Sequence, residues 1–266
     1  MIPKLHQNFI DNTIKTLKKD HRILGIATGG SYLTNNMDEF SDIDFVIVVK
    51  PEFIKQVMDE RYSIAKNLGN LLSGFTGEHV GEPRLLICLY GPPLLHIDLK
   101  FVSLDDVAAR VENPAILWEK DKLITEALKL KEPHFPIPDL QWLEDRFWVW
   151  VHYSATKIGR KEIFEAIGSI NFIREKVIGP LLLMKNGKLP RGVRKIEVDA
   201  PEYVNLLAQT VPNYDINSCI DSLQVLIDLY LELREYHSTD KLIRHFDAEK
   251  YSRAFLEEIT IKSNSF

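Results

Sequence analysis

With 266 residues, 45% of them hydrophobic, the chain is long enough for one large core or two modest ones, and two are expected. A formal net charge of −5 argues against a nucleic-acid polymer as partner, because phosphate contacts call for a basic surface; a small or cationic substrate suits the balance better. No run approaches the ~18 apolar residues of a membrane span, the N-terminal residues lack a secretory pattern, and Cys88 and Cys219 form neither a disulfide framework nor a zinc motif, so a cytoplasmic protein with two buried thiols is expected.

Residues 4–19 carry Leu5, Phe9, Ile10, Ile14 and Leu17 at helical spacing, with Lys15, Lys18 and Lys19 at the end where a helix favours cations. Residues 23–27 read as a short strand running into Thr28-Gly29-Gly30-Ser31. Glycines there let the backbone take unusual dihedrals and let a ligand approach the peptide N–H groups. Ten residues separate Ser31 from Asp42-Ile43-Asp44, which opens the apolar run Phe45 to Val49. Side chains two apart on a strand share a face, so Asp42 and Asp44 point the same way. Two like charges side by side are costly unless a cation joins them. The run that follows is apolar on both faces, which predicts a strand inside a covered sheet.

Pro51 ends that strand, residues 52–72 read as a helix, and Gly74, Gly77 and Gly81 mark a loop before a strand over 84–90. Gly91-Pro92-Pro93 predicts a turn, and residues 95–101 alternate: Leu95, Ile97, Leu99 and Phe101 on one face, His96, Asp98 and Lys100 on the other. The pattern is a hairpin presenting Asp98 at mid-strand, where a charge needs a partner. A metal shared with Asp42 and Asp44 would be one. Ser103-Leu104-Asp105-Asp106 resembles a helix cap. Three prolines within residues 133–138 make the clearest linker. The expected domains are therefore 1–132, catalytic, and 139–266, helical.

In the second part Leu140, Leu143, Phe147 and Val151 recur at helical spacing, as do Ile220, Leu223, Ile227 and Leu231. Residues 162–185 predict a helix bent or ended near Gly179-Pro180, residues 188–194 a basic connector, and residues 240–262 a last helix. Lys157, Arg160 and Arg174 are candidate phosphate contacts, Lys157 foremost because its aromatic-rich helix should pack near the catalytic domain. Trp142, Phe147, Trp148, Trp150 and Tyr153 read as bundle core.

Three carboxylates on neighbouring strands beside a glycine turn call for hard divalent cations, because Mg²⁺ takes a few carboxylate oxygens together with substrate phosphates. Gly29, Gly30 and Ser31 would then hold the outer phosphates of a nucleoside triphosphate, and catalysis would be positioning plus electrostatics. His96, a nitrogen donor, is expected as a neighbour of the site.

These residues resemble the nucleotidyltransferase superfamily related to DNA polymerase β, whose pattern is a hydrophobic residue, Gly, then Gly or Ser, a gap of about ten residues, Asp-x-Asp, and a third acid on a later strand. Gly30-Ser31, Asp42-Ile43-Asp44 and Ile97-Asp98-Leu99 match in order. Within that superfamily, size, domain order and the stretch from Phe147 to Arg174 resemble the bacterial aminoglycoside and lincosamide nucleotidyltransferases. Tyr32 after Ser31 departs from the smaller or basic residue of many relatives. The resemblance implies an α+β (α/β) fold, a mixed-sheet nucleotidyltransferase domain followed by a helical bundle. It implies transfer of a nucleoside monophosphate, AMP from ATP foremost, to a hydroxyl of a small molecule, with release of pyrophosphate. Two Mg²⁺ ions would be held by Asp42, Asp44 and Asp98, the last doubling as the acceptor of the hydroxyl proton, and nucleotide by Gly29, Gly30, Ser31 and Lys157. Adenylylation of a protein or tRNA, and a silent nucleotide sensor, stay open, as does the choice between monomer and homodimer.

Overall fold

The computed structural model describes residues 2–263 and divides into two compact units, Met1–Phe135 and Pro136–Phe266. The first contains α1 (Lys4–Leu17), β1 (Ile23–Thr28), β2 (Ile43–Val49), α2 (Ile54–Lys66), β3 (Leu71–Gly77), β4 (Glu82–Tyr90), β5 (Leu95–Ser103), β6 (Ala115–Glu119) and α3 (Leu123–Leu128). Its six strands form one mixed sheet in the order β3-β4-β5-β2-β1-β6. Only β2 and β5 run parallel; the other neighbours are antiparallel.

The central position of β2 follows from its sequence, since only an interior strand can bury apolar groups on both faces. Ile43, Phe45, Ile47 and Val49 join Ile97, Leu99 and Phe101 of β5 in a core that also takes Ile10 and Leu17 from α1 and Val57, Ile64 and Ala65 from α2. On the opposite face a smaller apolar patch, Leu24, Val48, Val102, Val107 and Ile124, packs with Val46 and Ile116. That patch covers only the far end of β2 and β5. Asp44 and Asp98, nearer the strand starts on the same face, stay partly exposed.

Three local expectations are corrected. Residues 52–72 do not form one helix: α2 ends at Lys66, and Leu71–Gly77, expected as part of that helix and a glycine loop, is the edge strand β3. The cap at Ser103 starts a single 3-10 turn, Leu104–Asp106, in which the Ser103 hydroxyl accepts from the Asp105 N–H at 3.4 Å. Residues 240–245 are not helical. β6 and α3 lie between the Ser103 cap and the proline-rich linker, a stretch to which no element is assigned from the sequence above.

The second unit consists of α4 (Leu140–Gly159), α5 (Ile163–Ile173), α6 (Gly179–Lys185), α7 (Ile196–Asp199), α8 (Val204–Gln209), α9 (Ile216–His237) and α10 (Phe246–Ser263). A π-helical turn, Arg174–Ile178, joins α5 to α6 at the bend expected near Gly179-Pro180. Its core is one apolar cluster in which Phe147 of α4 stacks on Tyr230 of α9 with ring centroids 3.6 Å apart. Asp139 and Asp215 cap α4 and α9, each carboxylate accepting backbone N–H groups of the first turn. No helix among the described residues is long and apolar enough to cross a membrane.

Candidate active site

The glycine turn leaves β1 directly. Gly29 is extended, Gly30 takes a left-handed φ of +61°, and residues Gly30–Thr34 wind into a 3-10 turn closed by Asn35, also left-handed. The Gly29 N–H donates to the Asp44 carbonyl at 3.1 Å, which ties the turn to the start of β2. Gly30 is required twice over. Its φ disfavours any side chain, and a Cβ there would stand 2.2 Å from Asp44 Oδ2. The backbone of the turn thus lies against the Asp44 carboxylate.

The loop into β2 is fixed from the other side. Asp38 accepts from the Phe40 N–H and the Ser41 hydroxyl, both at 3.0 Å, and the Ser41 carbonyl lies 2.8 Å from Nε2 of His6, buried on α1. Asp42 follows at once, one residue before β2, and is half-buried. Asp98 is placed by register: β2 and β5 pair in parallel with Asp44 opposite Asp98. Neighbouring strands lie about 4.8 Å apart, so the two carboxylates leave the same face side by side. The two halves of the motif, 54 positions apart in sequence, meet through this pairing.

The electrostatics are those of a crowded acidic site. Burial pushes the Asp98 carboxyl above its ordinary range, the Asp42 charge adds to that shift, and His96, 3.1 Å away, opposes it. Lys100, next along the same face, is held by Glu82 at 2.7 Å, and Glu82 also binds Arg84 at 2.7 Å. Among the described residues no three His, Cys, Asp or Glu side chains form a ready metal cage.

Residues 10–80 match the family model described as a nucleotidyltransferase domain. The chain carries a nucleotidyltransferase domain. The match falls on the same residues that carry the resemblance seen in the sequence, and it supports a nucleotidyltransferase enzyme. The matched segment holds the glycine turn, Asp42 and Asp44; Asp98 lies beyond it and is set opposite Asp44 by the sheet register. No curated protein sequence matches the chain significantly. Among solved structures, an aminoglycoside 6-adenyltransferase from Bacillus subtilis is similar at 16% identity, over 94% of this chain and 97% of that one, with a TM-score of 0.38. A spectinomycin adenyltransferase from Enterococcus faecialis, solved with ATP and spectinomycin, is similar at 13% identity, over 96% and 99%, with a TM-score of 0.31. Likenesses this slight carry neither acceptor nor metal across.

Of the other candidates, Lys157 sits in the last turn of α4, its ammonium 2.7 Å from Glu162 and 5.0 Å from the centre of the Tyr153 ring. Arg174 has a structural tie within its own unit, donating to the Thr210 carbonyl at 2.7 Å and to Asn171. Phe147 and Trp148 are buried core, whereas Trp142 and Tyr153 are exposed on the surface of the second unit. Cys88 and Cys219 are buried free thiols, and burial pushes that of Cys88 up to about 12.

One residue at the turn escapes the sequence reading altogether: Glu112, whose Oε1 accepts the Gly30 N–H at 3.0 Å. The available signal was the apolar run Ala115-Ile116-Leu117-Trp118, a strand signature that brings the residues before it back beside the turn.

Proposed function

We propose that this nucleotidyltransferase moves a nucleoside monophosphate, AMP from ATP foremost, onto a hydroxyl of a small molecule and releases pyrophosphate. The supporting observation is the parallel register that sets Asp98 beside Asp44, against a glycine turn in which a side chain on Gly30 would collide with the Asp44 carboxylate.

The donor set fits divalent magnesium. Asp42, Asp44 and Asp98 offer hard oxygens, and burial, with a smaller contribution from the Asp42 charge, raises the Asp98 carboxyl. Magnesium takes one or two carboxylates and completes its shell with phosphate and water. When bound, such ions supply charge neutralisation at the reacting phosphate. The chain's own residues do the rest. Asp42 and Asp44 are the holders, fixed by the His6-pinned loop and by the turn. Ser31 offers its hydroxyl to the phosphates, and Asp98, more basic than an ordinary carboxylate, takes the proton of the attacking hydroxyl with His96 steadying it.

The acidic balance favours a small or cationic acceptor, and an aminoglycoside or lincosamide is the first choice. The test is incubation with each labelled nucleoside triphosphate, Mg²⁺ and a panel of aminoglycosides, lincosamides, tRNA and protein extract. Label is expected on a small acceptor with pyrophosphate released; label on tRNA or protein would redirect the acceptor class. Metal-dependent nucleotide binding without turnover on any acceptor would favour a sensor.

A further inference from the structure

The Gly30 N–H, which a phosphate turn would offer to a nucleotide, already has an acceptor inside the molecule, Glu112 Oε1 at 3.0 Å. The preceding amide, that of Gly29, donates to the Asp44 carbonyl. Glu112 reaches the turn through topology. β6 pairs antiparallel with β1, with Ala115 opposite Thr28, so the loop entering β6 runs back over the residues that leave β1. Gly30 lies two positions after Thr28 and Glu112 three before Ala115. Arg110 stiffens that loop: its guanidinium donates to Asn113 Oδ1 at 2.8 and 2.6 Å and to the Lys131 carbonyl at 2.6 Å. The contact is close on both glycines, since a Cβ on Gly29 would stand 2.9 Å from Glu112 Oε1.

We propose that Glu112 is an internal stand-in for a nucleotide phosphate: its carboxylate occupies the Gly30 amide in the nucleotide-free protein and leaves when a phosphate oxygen takes its place. The inference rests on the nucleotide-transfer reading above. Carboxylate and phosphate are both oxyanions that form charge-assisted bonds with backbone N–H groups, and one N–H directed at Glu112 is not available to a second acceptor at full strength. A carboxylate left in place would also repel the incoming phosphates. Binding is therefore coupled to release of the loop over residues 109–114, and the apparent affinity falls by the fraction of molecules in which the amide is free. The device discriminates by charge: a triphosphate displaces Glu112 more readily than a nucleoside does.

The experiment is calorimetric titration of inorganic triphosphate alone, and of ATP with Mg²⁺, into the wild-type chain, Glu112→Gln and Glu112→Ala, with thermal unfolding as a check on the fold. Glu112→Gln keeps the shape and removes the charge. Both variants are expected to bind both ligands about tenfold more tightly, the equivalent of one charge-assisted hydrogen bond. In the wild type, hydrogen exchange of residues 109–114 is expected to rise on adding ATP with Mg²⁺, a readout that needs no variant. Unchanged affinity in both variants, or weaker binding by Glu112→Ala as for a mere anchor of the turn, would overturn the stand-in while leaving nucleotide transfer intact. No binding of either ligand by any of the three chains would overturn both.

Discussion

Gly30 and Asp44 share one small volume, and that sharing makes the site sensitive at single residues. Gly30→Ala puts a methyl 2.2 Å from Asp44 Oδ2 at a φ of +61°. The left-handed backbone alone costs about 1–2 kcal/mol for a residue with a side chain, so a small drop in the unfolding midpoint is expected. Nucleotide transfer should fall further than stability does, because the carboxylate must move; parallel unfolding and transfer assays check this. The pair Asp42 and Asp44 was legible in the sequence from spacing alone, since alternation along a strand settles which residues share a face. Asp98 was legible as a mid-strand acid, but its position beside Asp44 depends on a parallel register that no local pattern encodes. The Glu112 contact with Gly30 depends on pairing in the same way: it spans 82 positions, and the apolar run after Glu112 marks a strand without naming its partner.

At the scale of elements, the hairpin of β4 and β5 carries its own electrostatic support. Arg84 and Lys100 hold the Glu82 carboxyl down at about 2. A carboxyl lowered in the folded state contributes stability that is fully present above its unfolded value near 4.5 and is lost as pH falls through about 2. Glu82→Gln should therefore lower stability at neutral pH and flatten the loss between about pH 4.5 and 2, as read by urea unfolding across that range. The effect is modest, because the pair is partly exposed. A larger effect is expected in the second unit. Glu144 of α4 is buried among Tyr230, Arg234 and the His245 N–H, at 2.6, 3.2 and 3.0 Å. Glu144→Ala leaves the Arg234 guanidinium buried without that partner and should cost about 3–5 kcal/mol by chemical denaturation.

Elements with a strong apolar period, α1, β2, α4 and α9, were legible where they lie. β3 was not, because its glycines and exposed side chains belong to an edge strand that takes its identity from pairing with β4. β6 is the other edge, and its five residues are half-buried without alternation. The sheet orders these strands through partners that are distant in sequence, and a window on the chain does not contain them.

At the scale of the molecule, each unit holds its own apolar core, around β2 and β5 in one and around α4 and α9 in the other. We propose that the two are separate domains, as the proline-rich segment suggests. A fragment of residues 136–266 is then expected to stay helical and to melt cooperatively, and circular dichroism with thermal unfolding checks it. A disordered fragment would make the helical unit dependent on the first. The proposed chemistry lies in the first unit, with the turn, Asp42, Asp44 and Asp98.

The claim on which the rest depends is that the bond broken lies between the α and β phosphates. Parallel reactions with ATP labelled at the α or the γ phosphate, Mg²⁺ and the acceptor panel, run with wild type and Asp44→Asn, measure it directly. The expected result is α label on the acceptor, γ label in pyrophosphate, and a loss of about 10³-fold or more in Asp44→Asn with the fold retained. Transfer of the γ label to the acceptor, or undiminished transfer by Asp44→Asn, would contradict the account.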